Sequence, residues 1–184
     1  YAVATDYGSL FWKADAVDEL AIVLTKSQDV GVYAYRFDWD DLRSFITLNL
    51  PDLMGAAHAL ELPFVFGNLE LLDTALVLSD YESARELSDR IMSYWAEFAY
   101  SGSPGRGRQG DLVDWTAWTN DTSSPKLMLL DSSLGFGTRM VSAMTTYESI
   151  AERLAEDDRF DEESGCRLAR RMFDIDLSDR VCGP

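Results

Sequence analysis

Apolar residues recur at three- and four-residue intervals in several stretches of this chain and run together in two short ones. From Ser9 to about Lys26, the residues Phe11, Trp12, Ala16, Leu20, Val23 and Leu24 fall on one broad face, which predicts an amphipathic helix with Ser9 as its cap. A second helix is predicted from about Asp80 to Tyr100, with Ala84, Leu87, Ile91, Trp95 and Phe98 as its inward stripe. Ser79 and Glu82 have capping-box spacing, and Gly102 suits the left-handed residue after the end. Thr145 with Glu148 opens a further helix to about Glu156, and Ser164 to Asp174 reads as another.

The two continuous runs are short. Val30 to Phe37 (VGVYAYRF) is rich in β-branched and aromatic residues and reads as a buried strand, while Lys126 to Asp131 (KLMLLD) reads as a shorter one. Between the first strand and the long helix, positions 38 to 57 carry Phe45, Leu48, Leu50, Leu53 and Met54, punctuated by Pro51 and Gly55. A loop of this length inside a compact domain is often functional. Ser101 to Gly110 (SGSPGRGRQG) is a flexible loop by composition. One buried strand needs neighbours on both sides, and this pattern supplies too few. The chain therefore reads as an α/β piece of a larger sheet.

Composition narrows the class. A hydrophobic fraction of 47% with 12% aromatics argues against disorder. A net charge of −16 repels nucleic acid and anionic membrane surfaces, so neither is expected as a partner. No apolar run approaches the roughly 18 residues that span a bilayer. Tyr1-Ala-Val-Ala has no initiator methionine or basic n-region, so the start reads as mid-protein, and both a cytoplasmic and a secreted location stay open. Cys166 and Cys182 can pair in an oxidising compartment, but spacing alone does not bring their Cα atoms into range.

Candidate chemistry centres on His58, the only histidine. An imidazole is the usual general base near neutral pH, although a single histidine in apolar surroundings is more often structural. His58 and Glu61 have the spacing of half a metal site, yet zinc catalysis normally takes three protein ligands. No metal or cofactor is expected. Neither a nucleophile nor an acid is evident. Ser101-Gly-Ser-Pro-Gly105 imitates a G-x-S-x-G elbow but follows a helix, where the elbow must follow a strand, so Ser103 is a loop serine. Asp38, Asp40 and Asp41 read as turn aspartates, and Glu61 as a brace for the loop. The acidic residues Glu156, Asp157, Asp158, Asp161, Glu162 and Glu163 read as a solvated turn.

Three blocks in order change the picture. Gly55-Ala-Ala-His-Ala-Leu-Glu-Leu-Pro-Phe-Val-Phe-Gly-Asn68 resembles the catalytic-histidine segment of type-B carboxylesterases, the family of cholinesterases and bacterial para-nitrobenzyl esterases. Val32-Tyr-Ala-Tyr-Arg-Phe-Asp-Trp39 resembles that family's last main strand, and Trp95-Ala-Glu-Phe-Ala-Tyr-Ser-Gly-Ser-Pro104 its later helix. Trp115 and Trp118 fall where the family has a tryptophan-containing stretch before a final short strand. The similarity is strongest from about residue 30 to 104, and the bacterial branch fits best.

The resemblance implies that residues 1 to 184 are the C-terminal portion of an α/β-hydrolase fold, mostly helices with the last one or two sheet strands. It implies a serine hydrolase of carboxylic esters in which His58 is the general base of a Ser-His-Glu triad. Serine elbow, oxyanion segment and glutamate would lie upstream, so the expected partners are a small carboxylic ester and the N-terminal portion of the same fold. The chain alone is expected to be inactive. Phe45, Leu48, Leu53, Met54 and Ala59 are the candidate walls of the acyl or alcohol pocket. In Glu61–Gly67, Phe64 and Phe66 would anchor the loop that carries the histidine, while Tyr33, Tyr35 and Phe37 pack the sheet. The alternatives are an esterase-like binding module without catalysis and an independent small α+β domain. Retention of His58 in an intact motif favours the enzyme.

Overall fold

The first helix starts earlier than its pattern predicts. In the computed structural model, which describes residues 2–45, 48–49, 59–74, 78–173 and 175–183, helix α1 spans Ala2–Lys13, a π-helical turn covers Ala14–Asp18, and α2 continues over Glu19–Ser27. Ser9 is therefore interior to α1 and caps nothing. Alanines ahead of it are strong helix formers and carry the helix back. The π turn also changes the buried face. Its i→i+5 bonding, seen in Glu19 N–H donating to Ala14 O, inserts an extra residue and rotates α2 by about 100°. Asp18 and Ala21 are buried as a result, and the expected inward residues Leu20 and Val23 are about half exposed at 51% and 57%.

The chain divides into two compact units, residues 1–28 with 144–184, and residues 29–143. The second holds the sheet. Strand β1 (Ala34–Phe37) is followed by β2 (Ser44–Phe45) and β3 (Leu48–Asn49), which make a separate two-stranded ladder in the predicted loop. Strand β1 itself pairs in parallel with β4 (Leu127–Leu130), and β5 (Arg139–Val141) pairs antiparallel with the far side of β4, giving the order β1-β4-β5. All four β4 residues are buried. The predicted strand from Val30 shortens to four residues because β4 offers only four partners, and Val30 is 67% exposed. Among the described residues β1 has a neighbour on one side only. Beyond its end, Leu42 bridges to Leu78.

Among the described residues three helices complete this unit: α3 (Leu62–Val65), α4 (Glu70–Thr74) and the long α5 (Tyr81–Ser101). Asp80, not Ser79, caps α5, its carboxylate accepting from Ser83 N–H at 2.8 Å. Ser79 instead donates its hydroxyl to Asp41 O at 2.7 Å and ties the turn after β1 to the start of α5. The inward stripe of α5 is Ala84, Leu87, Ile91 and Tyr94, with Trp95 half-buried beside it. Phe98, expected in that stripe, is 48% exposed. Gly102 closes the helix at φ 81°. Tyr35 meets Trp95 and Trp115 edge-on at centroid distances of 5.1 and 6.1 Å, which makes it a packing residue as expected.

The other unit adds three helices to α1 and α2: α6 (Tyr147–Ala155), α7 (Glu162–Met172) and α8 (Ile175–Cys182). Tyr7, Ala14, Ile150, Leu154 and Ala169 form its core. The Tyr7 hydroxyl donates to Asp157 Oδ2 at 2.8 Å, and Arg159 pairs with the same carboxylate at 2.6 Å. Part of the acidic run is thus structural rather than solvated. Asp18 accepts from Lys13 and, at 2.6 Å, from Thr145 N–H. With Thr145 so engaged, the cap of α6 moves one residue on: Thr146 and Ser149 form a reciprocal capping box. Helix α8 has no counterpart among the helices expected from the sequence. Among the described residues no helix is long and apolar enough to cross a membrane.

Replacing Asp80 removes the side-chain acceptor for Ser83 N–H. Asp80→Ala should cost about 1 kcal/mol in urea unfolding, whereas Glu82→Ala should change stability by less than half as much.

Candidate functional site

The histidine segment is tied to the sheet by its C-terminal flank. His58, Leu50, Leu53 and Met54 lie outside the described residues. Ala59 follows His58 directly, with φ 70°, the one non-glycine residue at positive φ among those described. The left-handed region costs an ordinary L-residue roughly 1–2 kcal/mol. Such conformations persist where surrounding structure enforces them, and they cluster at functional sites. Ala59 is followed by the turn into α3, with Leu62 N–H donating to Ala59 O at 3.3 Å.

Phe64 anchors the helix that follows. Its ring is fully buried and lies 5.1 Å from Phe37 and 4.9 Å from Trp39, centroid to centroid. Those two residues end β1 and begin the turn after it. Ser88 on α5 donates its hydroxyl to Phe64 O at 2.7 Å in a buried bond. So α3 is held between the C-terminal end of β1 and the long helix. The expectation for Phe66 is corrected: it is 75% exposed and anchors nothing. Two residues on from Phe64 in a helical turn, it faces away.

Of the expected pocket residues, Phe45 and Leu48 are direct backbone partners across the β2–β3 ladder. Ala59 is half-buried in its turn. No described contact joins it to that ladder.

The strand ends also carry a network beyond the residues expected from the sequence. Asp131, at the end of β4, is buried and accepts from Ser132 N–H and Phe136 N–H, both at 2.7 Å. The buried Ser132 donates its hydroxyl to Asp41 across the strand ends. A Cβ at Gly135 would collide with the Asp131 carboxylate, so any side chain there would have to displace it from its two backbone N–H donors. The run Asp131-Ser-Ser-Leu-Gly-Phe-Gly137 directly after an apolar strand is the available signal, a cluster of turn formers whose side chains bond their own backbone. Asp38 pairs with Arg36 at 2.5 Å, as befits a turn aspartate. Asp40 is pushed above the ordinary carboxylate range, first by partial burial and then by the charges of Asp41 and Asp131. No group of three or more metal-binding side chains gathers among the described residues.

A parallel strand pair, a helix-anchored histidine flank and ordered strand-end turns are parts of a recognisable whole. The family model described as the carboxylesterase family matches residues 2–145. This chain belongs to the carboxylesterase family, and its α/β architecture is part of an α/β-hydrolase fold. It is 34% identical over 125 residues to the para-nitrobenzyl esterase of Bacillus subtilis (strain 168), covering 68% of this chain and 22% of the relative. It is 30% identical over 120 residues to acetylcholinesterase 1 of Caenorhabditis elegans, covering 64% and 18%. With the acetylcholinesterase of Electrophorus electricus it shares 34% identity over 98 residues, covering 53% and 14%. Among solved structures, a thermophilic PNB esterase superposes with a TM-score of 0.45 at 31% identity, over 60% of this chain and 20% of that one. The chain thus spans 22% or less of the length of these curated relatives.

Two substitutions test the site's scaffold. Ala59→Val places a β-branched residue in the left-handed region and should lower stability by about 1–2 kcal/mol, whereas Ala59→Gly should not. Asp40 holds its proton more tightly in the fold than unfolded, so its charge opposes folding at neutral pH and ceases to as pH falls through the raised value. Asp40→Asn should therefore raise the melting temperature at pH 7, with the gain shrinking in acid.

Proposed function

We propose that this chain carries the general base of a serine carboxylesterase, His58, within a C-terminal segment of the catalytic domain. The nucleophilic serine, the oxyanion donors and the orienting glutamate come from the N-terminal portion of the same fold. The serine attacks the ester carbonyl while His58 takes its proton, then returns it to the departing alcohol. His58 next activates water, which attacks the acyl-enzyme and releases the acid. Phe45, Leu48, Leu53, Met54 and Ala59 wall the acyl or alcohol pocket, whose apolar character selects a small carboxylic ester.

The observation that carries this reading is the left-handed backbone of Ala59 immediately after the sole histidine, in a segment locked by Phe64 to the end of β1. Strand C-termini are where α/β sheets collect ligands and catalytic groups. Family membership supports the same chemistry, and the para-nitrobenzyl esterase relative is named for an ester.

Hydrolysis of a short-chain p-nitrophenyl ester tests it. The full-length product of the gene should turn over the ester, and His58→Ala in it should lower kcat by about 10⁴-fold or more. Residues 1–184 alone should show no turnover. A full-length product without activity would favour an esterase-like binding module, and activity in the isolated chain would mean a nucleophile within it.

A further inference from the structure

Cys166 lies in α7 and Cys182 closes α8, with their sulfurs bonded and their Cα atoms 4.6 Å apart. No other cysteine exists in the chain, and neither of these is left free. The unit they belong to has a small core. The buried apolar residues described in it, Tyr7, Ala14, Ala21, Ile150, Ala151, Leu154 and Ala169, are mostly alanines. Domains with little to bury are commonly held by covalent staples. Val181, next to Cys182, packs against that core, so the bond fixes the last helix where its apolar contact is made.

The surroundings of Cys166 are basic. Glu163, Arg167, Arg170 and Arg171 line a shallow cleft with it, three guanidinium groups against one carboxylate. Arg167 pairs with Glu163 at 3.2 Å. In an acidic chain this cationic patch is unusual.

We infer that Cys166–Cys182 is a structural disulfide that holds α8 on α7, and that the protein folds and works in an oxidising compartment outside a reducing cytosol. In the reaction the two thiols lose two protons and two electrons as the Sγ–Sγ bond forms. A protein disulfide oxidant takes them up, its own S–S bond breaking to a dithiol. Joined to the esterase reading, on which this last step rests, the inference places the ester substrate in that same compartment.

The test is independent of turnover. Cells making the protein from its own gene are fractionated after quenching with a thiol-alkylating agent, and the peptides carrying Cys166 and Cys182 are analysed by mass before and after reduction. The expected result is an extracytoplasmic protein in which neither cysteine carries an alkyl group until reduction exposes both. Alkylation of both before reduction would overturn the disulfide, and a protein confined to the cytosol would overturn the compartment. Reduction of the purified protein should also lower the melting temperature of the helical unit by about 10 °C, as should Cys166→Ser combined with Cys182→Ser. An unchanged transition after reduction would overturn the structural role. Loss of esterase activity bears on none of these readouts, so failure of the two proposals can be told apart.

Discussion

Parallel pairing of β1 with β4 imposes the constraint on which the sheet-bearing unit depends. Two parallel strands cannot be joined by a hairpin, so the chain from 38 to 126 must leave the end of β1 and cross back to the start of β4. The histidine segment, α3 and the long α5 all lie in that crossover. The crossover stays in place because its buried side chains meet the strands. Phe64 reaches the end of β1, while Leu87, Ile91 and Tyr94 share one core with Met128 and Leu130 of β4.

Polar groups then fix what apolar packing leaves free. Ser88 bonds the Phe64 carbonyl, Ser79 the Asp41 carbonyl, and Ser132 the Asp41 carboxylate. Each is a short serine side chain donating to an acceptor at a turn. Together they pin the turn after β1 from two directions, one from the start of α5 and one from the end of β4. Partial burial at this place, and then the charges of the adjoining carboxylates, make Asp40 give up its proton less readily.

Much of this is legible in the sequence, for reasons that differ by element. The stripe of α5 and the all-apolar β4 announce themselves because their periodicity matches their burial, and the histidine motif because its residue order is specific. The caps at Asp80 and Thr146 each fall one residue beyond the position that spacing suggests. In each case the neighbouring hydroxyl residue has a tertiary or long-range partner that local spacing does not reveal. The buried face of α2 is hidden because a π turn carries no composition signature. Strand β5 is three residues long and half-buried, too little to leave a pattern. At the site, Ala59 can be named but not its backbone state, since alanine has no intrinsic preference for positive φ and nothing in its sequence neighbourhood signals one. The disulfide stays open in the sequence because only the folding of α8 against α7 brings the two sulfurs together.

The placement of tryptophans gives the two units different optical signatures. Trp39, Trp115 and Trp118 are buried and Trp95 is half-buried, all within residues 29–143, whereas Trp12 is 53% exposed and is the sole indole of the helical unit. Indole emission therefore tracks the sheet-bearing unit almost alone. Melting of the helices would pass nearly dark in fluorescence while registering strongly in far-ultraviolet circular dichroism. The molecule thus contains its own means of distinguishing one cooperative transition from two.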